Sequence, residues 1–297
     1  MVTDEKLIQL TYDKNDYSVS GYHPLWCPGC GDFAILKAMK NALFELQLDP
    51  QDTILVPGIG CSSKMMDAIN TYGLHTIHGR SLPIASGVKL ANHNINVIAF
   101  GGDGDMVGIG GNHFMHACRR NLNITVVIPN NQTYGLTTGQ ASPTSDLGYK
   151  TKTSPGGVVD QPVSIAGLAV NSGATFVARS SSADNAHLQK MIEAGVKHQG
   201  MSVIEVMQFC ITFNRINTPD YYEPRLYDIN DTDYDHRDYN SAILKSHQWG
   251  DKIPYGILYE GSRPSYEASF PQLQGKSLVE KRPTQPRDIS SMFSDDS

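Results

Sequence analysis

Hydrophobic and polar positions in the first two thirds of the chain switch repeatedly between a helical period and short continuous apolar runs. Helical apolar spacing runs through 32–46 (DFAILKAMKNALFEL), and the apolar run 53–57 reads as a buried strand. The alternation continues with helices expected at 60–72, 85–92 and 108–120 and strands at 96–100 and 123–129. A helix around 164–172, a strand at 175–178, a helix at 183–197 and a strand at 202–208 complete it. Strands separated by helices imply a parallel sheet covered on both faces, so the expected class is α/β with a parallel sheet flanked by helices. Ligands of such sheets gather at the carboxyl ends of the strands, where the glycine-rich stretches of this chain fall.

The character changes after residue 213. The stretch 220–239 is acidic and tyrosine-rich without clear periodicity, and from about 262 the chain is rich in Pro, Ser and Gln. Residues 1–213 are therefore expected to form one domain. Residues 214–297 are expected to form an irregular arm that packs on a partner subunit or on the domain surface. The final 20 residues would serve equally as a solvated tail.

Composition narrows the function classes. The chain has 297 residues, 40% of them hydrophobic and 18% charged, enough for one large globular α/β domain with a substantial core. A formal net charge of −6 argues against nucleic acid as a partner. No apolar run reaches the roughly 18 residues of a membrane span. The N-terminus lacks the apolar core of a secretion signal, so a cytoplasmic location is expected. Five cysteines, an odd number, favour metal binding or free thiols over a disulfide framework. Cys118 is the spare and reads as a buried helix residue.

Trp26-Cys27-Pro28-Gly29-Cys30 leaves three readings open. A thioredoxin-type redox pair would follow a buried strand, and 17–25 is a poor strand. A structural zinc site needs four ligands, often as two close pairs, whereas the remaining cysteines are single. A [4Fe–4S] cluster needs four thiolates, which one close pair and two distant cysteines can supply if the fold gathers their loops. Cys61 follows Gly58-Ile59-Gly60 just after a strand, and Cys210 lies just beyond another.

Gly101-Gly102-Asp103-Gly104-Asp105 follows the strand at 96–100, and Asn130-Asn131 follows the strand at 123–129. Asp103 and Asn131 are 28 residues apart, the length of one strand–helix–strand crossover, which places a carboxylate and an amide at neighbouring strand tips. Mg²⁺ takes hard oxygen ligands and is commonly completed by phosphate oxygens and water. Asp103, Asn131 and the carbonyl of Thr133 would offer three such oxygens, and a diphosphate two more.

This arrangement resembles the thiamine diphosphate motif, Gly-Asp-Gly ending in Asn-Asn. With the cysteines, the chain resembles the β subunit of 2-oxoacid:ferredoxin oxidoreductases, from about residue 22 to 210. The likeness includes HPLWCPGCG (23–31), GIGCSS (58–63), HGR (78–80), GDGD (102–105), HACRRN (116–121), NNQTYGLT (130–137) and GQASPT (139–144).

The resemblance implies Cys27, Cys30, Cys61 and Cys210 as ligands of one [4Fe–4S] cluster, and Asp103, Asn131 and Thr133 as Mg²⁺ ligands. It implies that Ile59, Gly60, Cys61, Ser62, His78, Gly79, Arg80, Ser81, Asp103, Gly104, Asp105, Asn131, Gly135 and Leu136 line thiamine diphosphate. His78 and Arg80 are the expected catalytic groups. The implied reaction is CoA-dependent oxidative decarboxylation of a 2-oxoacid, electrons passing through the cluster to ferredoxin, with the reverse fixing carbon dioxide. The 2-oxoglutarate branch is favoured over pyruvate or broad specificity, although Thr138 stands where relatives carry Lys. An α subunit is the implied partner, in an α/β pair that is doubled, and the chain alone is expected to be inactive. A non-redox thiamine decarboxylase or carboligase with structural zinc is the competing reading.

Overall fold

The structure, a computed structural model, describes residues 11–281. The expectations for residues 1–10 and for the tail beyond 281 lie outside it. Ten strands follow one another along the described chain. They are β1 (Thr53–Pro57), β2 (Tyr72–Gly73), β3 (Asn96–Phe100), β4 (Thr125–Asn130), β5 (Thr133–Tyr134), β6 (Gln140–Ala141), β7 (Phe176–Ser181), β8 (Ser202–Met207), β9 (Leu226–Asp228) and β10 (Ile253–Glu260). Between them run α1 (Asp32–Glu45), α2 (Ser81–Ala91), α3 (Gly111–Arg120), α4 (Ile165–Asn171), α5 (Asn185–Lys197), α6 (Pro219–Tyr222) and α7 (Tyr239–His247).

Eight strands make one sheet in the order β2-β1-β3-β4-β8-β7-β10-β9, while β5 and β6 form a small hairpin of their own. Strands β2 through β7 of that order pair in parallel. The central strands β4, β7 and β8 are buried along their whole length, as a sheet covered on both faces requires. Alternate side chains then separate into two cores. Val126, Ile128 and Val203 join Phe114, Ala169 and Ala242 from α3, α4 and α7. Val127 and Ile204 join Ile35, Met39, Leu188 and Ile192 from α1 and α5. Ser164 Oγ accepts from Gly167 N at 3.1 Å and Asp184 Oδ1 from His187 N at 3.0 Å, capping α4 and α5. Among the described residues no helix is long and apolar enough to cross a membrane.

Two segments depart from the sequence-based expectation. Residues 60–72 form a 3-10 turn over Ser62–Ala68 followed by β2, not an α-helix. The Cys61 carbonyl, which an α-helix would pair with residue 65, instead accepts from Trp26 Nε1 at 2.7 Å and Lys64 N at 3.2 Å. The segment after residue 213 is more regular than its composition suggests, supplying α6, β9, α7 and β10. β10 pairs antiparallel with β7, so the boundary drawn at 213 runs through a single sheet. Its strand was masked by Pro254 and by Gly256, which has φ +110° next to a register shift in the ladder.

The connection from β4 passes over the place later filled by β8 to reach β7, and α5 leads back to β8. The winding direction reverses between β4 and β8, and the crevice at that switch point is where a ligand fits an open α/β sheet.

Candidate active site

Four neighbouring strands deliver the site. The tips of β1, β3, β4 and β8 lead into 58–61, 101–105, 130–131 and 208–210 respectively. The fifth contribution is the turn at 27–30 before α1. Gly31 anchors it: its N–H donates to the Phe209 carbonyl at 3.1 Å, and a Cβ there would stand 2.9 Å from Phe209 N.

Cys27, Cys30, Cys61 and Cys210 line one cavity together with Leu25, Trp26, Asp32, Lys64, Gln208 and Ile211. Cys27 is exposed and the other three are half-buried, whereas Cys118 is buried in α3 outside the group. Among the described residues no three His, Cys, Asp or Glu side chains converge on the position of a single metal ion. Four thiols lining one cavity are the donor type that an iron–sulfur cluster takes. A Cβ on Gly135 would project into that space, 3.4 Å from Cys210 Sγ and 3.9 Å from Cys61 Sγ. Burial raises the Cys30 thiol well above its ordinary value, with the Asp32 charge adding to it, and pushes Cys61 up to about 11. Burial also raises Cys210, but backbone amides of Phe213, Asn214 and Thr212 oppose it by favouring the thiolate.

Asp32 was not anticipated. It is fully buried, accepts from Ser62 Oγ at 2.8 Å, and lies 3.6 Å from Cys30 Sγ. Gln208 Nε2 approaches the same sulfur at 3.3 Å. Only the position of Asp32 two residues after Cys30 would have flagged it in the sequence.

The second cavity is lined by 59–62, His78, 102–105, Asn131 and 133–137. Of the residues expected to line a cofactor, Ile59, Gly60, Cys61, Ser62, His78, Asp103, Gly104, Asp105, Asn131, Gly135 and Leu136 surround it, as does the metal candidate Thr133. Gly79, Arg80 and Ser81 do not. Ser81 is buried with its hydroxyl donating to the Val56 carbonyl at 2.6 Å, and Arg80 turns its guanidinium to the Gly79 carbonyl at 3.2 Å. Gly102, Tyr134 and Thr137 complete the lining and were missed. The Tyr134 ring occupies the space a Cβ of Gly104 would need, which is why that position is glycine.

Asp105 explains two more glycines. Its carboxylate fills the space a Cβ would take at Gly58 and at Gly101. Its Oδ1 accepts from Ile59 N at 3.1 Å and Gly79 N at 2.8 Å, and His78 Nδ1 lies 2.8 Å away. Burial raises its pKa while these amides and the ring oppose the rise, and its Oδ2 is buried without a hydrogen-bond partner. Asp105 is thus the knot that holds the loops after β1 and β3 and the His78 turn together. A π turn over Gly104–Ile109 ahead of α3 swings the backbone into this position.

Asp103 is buried, with Ser142 Oγ and Thr144 Oγ1 each donating to its Oδ2 at 2.5 Å. Burial raises its carboxyl and these hydroxyls hold it back. Asn131 lines the same cavity, and its Oδ1 accepts from Thr133 N at 3.1 Å. A buried carboxylate and an amide oxygen at neighbouring strand tips fit a hard, oxygen-seeking divalent cation.

This fold, with an acid–amide pair at the tips of adjacent parallel strands, defines the class of thiamine diphosphate-binding proteins. Residues 58–206 match the family model of the thiamine pyrophosphate enzyme C-terminal TPP binding domain. Residues 210–275 match the model of the C-terminal part of the pyruvate ferredoxin oxidoreductase beta subunit. The chain is 45% identical over 269 residues to the 2-oxoacid:ferredoxin oxidoreductase 1 subunit beta of Aeropyrum pernix, covering 87% of this chain and 85% of that one. It is 44% identical over 196 residues to the 2-oxoglutarate synthase subunit KorB of Archaeoglobus fulgidus, covering 66% and 73%. A solved structure of 2-oxoglutarate:ferredoxin oxidoreductase from Magnetococcus marinus, with 2-oxoglutarate, coenzyme A and succinyl-CoA bound, matches with a TM-score of 0.87 at 32% identity over 97% of both chains. The chain belongs to the β subunits of the 2-oxoacid:ferredoxin oxidoreductases.

Proposed function

We propose that the chain serves a 2-oxoglutarate:ferredoxin oxidoreductase, binding thiamine diphosphate through Mg²⁺ and holding one [4Fe–4S] cluster. The observation that carries this reading is a shared wall: Cys61, Asn131, Gly135 and Leu136 line both the cysteine cavity and the acid–amide cavity. Electrons released in one would reach the other without crossing a further structural element.

Asp103, Asn131 and the Thr133 carbonyl would hold the metal, and the four cysteines the cluster. Bound thiamine diphosphate supplies the electron sink that lets carbon dioxide leave a 2-oxoacid. The chain's own part is orientation. Asp105 Oδ1 stands 2.8 Å from His78 Nδ1, and Ser142 and Thr144 hold the Asp103 carboxylate. The α partner would complete the site, and the acidic stretch 220–239 is a candidate for its contact. The 2-oxoglutarate-bound neighbour and the KorB relative support the substrate, while the Aeropyrum relative is named for 2-oxoacids at large.

The test is CoA-dependent ferredoxin reduction by the anaerobically purified α/β complex, with iron, sulfide and zinc analysis of the same sample. A higher kcat/KM for 2-oxoglutarate than for pyruvate, with iron and sulfide present, is expected. Preference for pyruvate, or equal turnover of both, would overturn the substrate. Zinc without sulfide would overturn the cluster.

A further inference from the structure

A third cavity adjoins the Asp103 support, lined among others by Asn130, Thr144, Arg179, Glu205, His247 and Trp249. A continuous polar chain runs along it. Arg179 Nε donates to Glu205 Oε2 at 2.9 Å, and Asn130 Nδ2 donates to Glu205 Oε1 at 2.9 Å. Thr144 Oγ1 lies 2.9 Å from Asn130 Oδ1 and 2.5 Å from Asp103 Oδ2. Arg179, Glu205, Asn130 and Thr144 are each at most 3% exposed. We propose that Glu205 and Arg179 are positioning residues for the metal–diphosphate site, acting through Asn130 and Thr144 on Asp103; the proposal rests on the thiamine diphosphate reading above.

The donor and acceptor inventory gives the chain a direction. A carboxylate only accepts, so Glu205 obliges Asn130 to turn its NH₂ toward it and its Oδ1 toward Thr144. The Thr144 hydroxyl, with one hydrogen for two acceptors, lies between Asn130 Oδ1 and Asp103 Oδ2, and its oxygen helps to set where the Asp103 carboxylate rests. Arg179 holds Glu205 in turn. Its remaining donors reach the Pro254 carbonyl at 3.1 Å and the Ser246 carbonyl at 3.1 Å, and its guanidinium sits 5.2 Å from the Trp249 ring centroid. A buried ion pair is commonly replaceable by apolar residues without loss of stability. Its value here is that it fixes the orientation of one amide next to a metal ligand. It also links β10, which supplies Pro254, to the tip of β4.

Glu205→Gln keeps the shape but lets the amide present its NH₂ to Asn130. Asn130 would then turn over and donate to Thr144, so that the hydrogen Thr144 shares between Asn130 and Asp103, and with it the Asp103 carboxylate, shifts from its place. Thr144→Val removes the hydroxyl at constant size, and Thr144→Ser keeps it. The α/β complex is stripped of metal and cofactor, and Mg²⁺ is titrated at saturating thiamine diphosphate with binding followed by calorimetry. Glu205→Gln and Thr144→Val should each raise the Mg²⁺ concentration for half-saturation by about 10–100-fold, the usual cost of losing a group behind a metal ligand. Thr144→Ser should restore the wild-type value, and the metal-free Thr144→Val complex should still fold, melting somewhat below the wild type because buried acceptors lose a donor. Unchanged Mg²⁺ affinity in Thr144→Val would overturn the proposal, even if Glu205→Gln failed to fold. A wild-type complex that binds no thiamine diphosphate in the presence of Mg²⁺ would overturn the underlying reading instead.

Discussion

Ser62 Oγ donates a 2.8 Å hydrogen bond to Asp32 Oδ1, and both side chains are buried between the two loops that carry Cys30 and Cys61. The cysteine cavity is therefore shaped by an oxygen contact as well as by its sulfurs. Ser62→Ala would leave a buried carboxylate oxygen without its donor. That should cost about 1–3 kcal/mol, lowering the melting temperature by about 2–4 °C per kcal/mol in a chain of this size. An unchanged melting temperature would show that the contact contributes nothing.

The two cavities share a wall but have separate donors, so their losses should separate. Cys210→Ser should reduce iron and acid-labile sulfide below the about four of each per chain that a full cluster holds, while leaving thiamine diphosphate binding intact. Asp103→Ala should do the reverse, abolishing Mg²⁺-dependent cofactor binding with iron retained. Metal analysis and calorimetry on both variants decide the matter. A simultaneous loss of both groups in either variant would contradict separate sites.

Gly58 and Gly135 stand on opposite sides of the same argument. A Cβ at Gly58 would run into the Asp105 carboxylate, whereas one at Gly135 meets only sulfur at ordinary contact distance. Gly58→Ala should destabilise the fold by about 1–3 kcal/mol through forced overpacking. Gly135→Ala should fold like the parent and alter only what enters the cavities it lines. Urea unfolding of the two variants side by side checks the contrast.

Thr138, in the loop beyond Leu136, has φ +77°, a conformation that costs a side-chain-bearing residue about 1–2 kcal/mol. Thr138→Gly removes that strain but gives back about 0.5–1 kcal/mol in chain entropy. A small net stabilisation is expected, and a loss of stability in denaturant unfolding would mean that the threonine side chain holds the loop.

Most of the sheet was legible because the buried strands β4, β7 and β8 carry short apolar runs, such as Val126–Ile128 and Phe176–Ala178. The tips of β1, β3 and β4 were legible because glycine, aspartate and asparagine cluster there. Asp32, Tyr134 and the supports of Asp103 were not, since Ser142 and Thr144 lie about forty residues from the carboxylate they hold and meet it only through the fold. Arg80 and Ser81 were drawn into the site by their neighbours His78 and Gly79, and the first turn of α2 takes Ser81 inward instead. β10 was hidden because its proline and glycine suit a bulged strand near the sheet margin better than a central one.

The place of β10 also bears on how the chain is made. Every residue of both cavities has been synthesised by position 213, yet β7 remains an edge until 253–260 arrives to pair with it. A growing chain would thus hold the lining of both cavities while showing an open row of backbone donors and acceptors, the kind of margin that invites pairing with a neighbouring chain. The last of the described strands to leave the ribosome is the one that closes it.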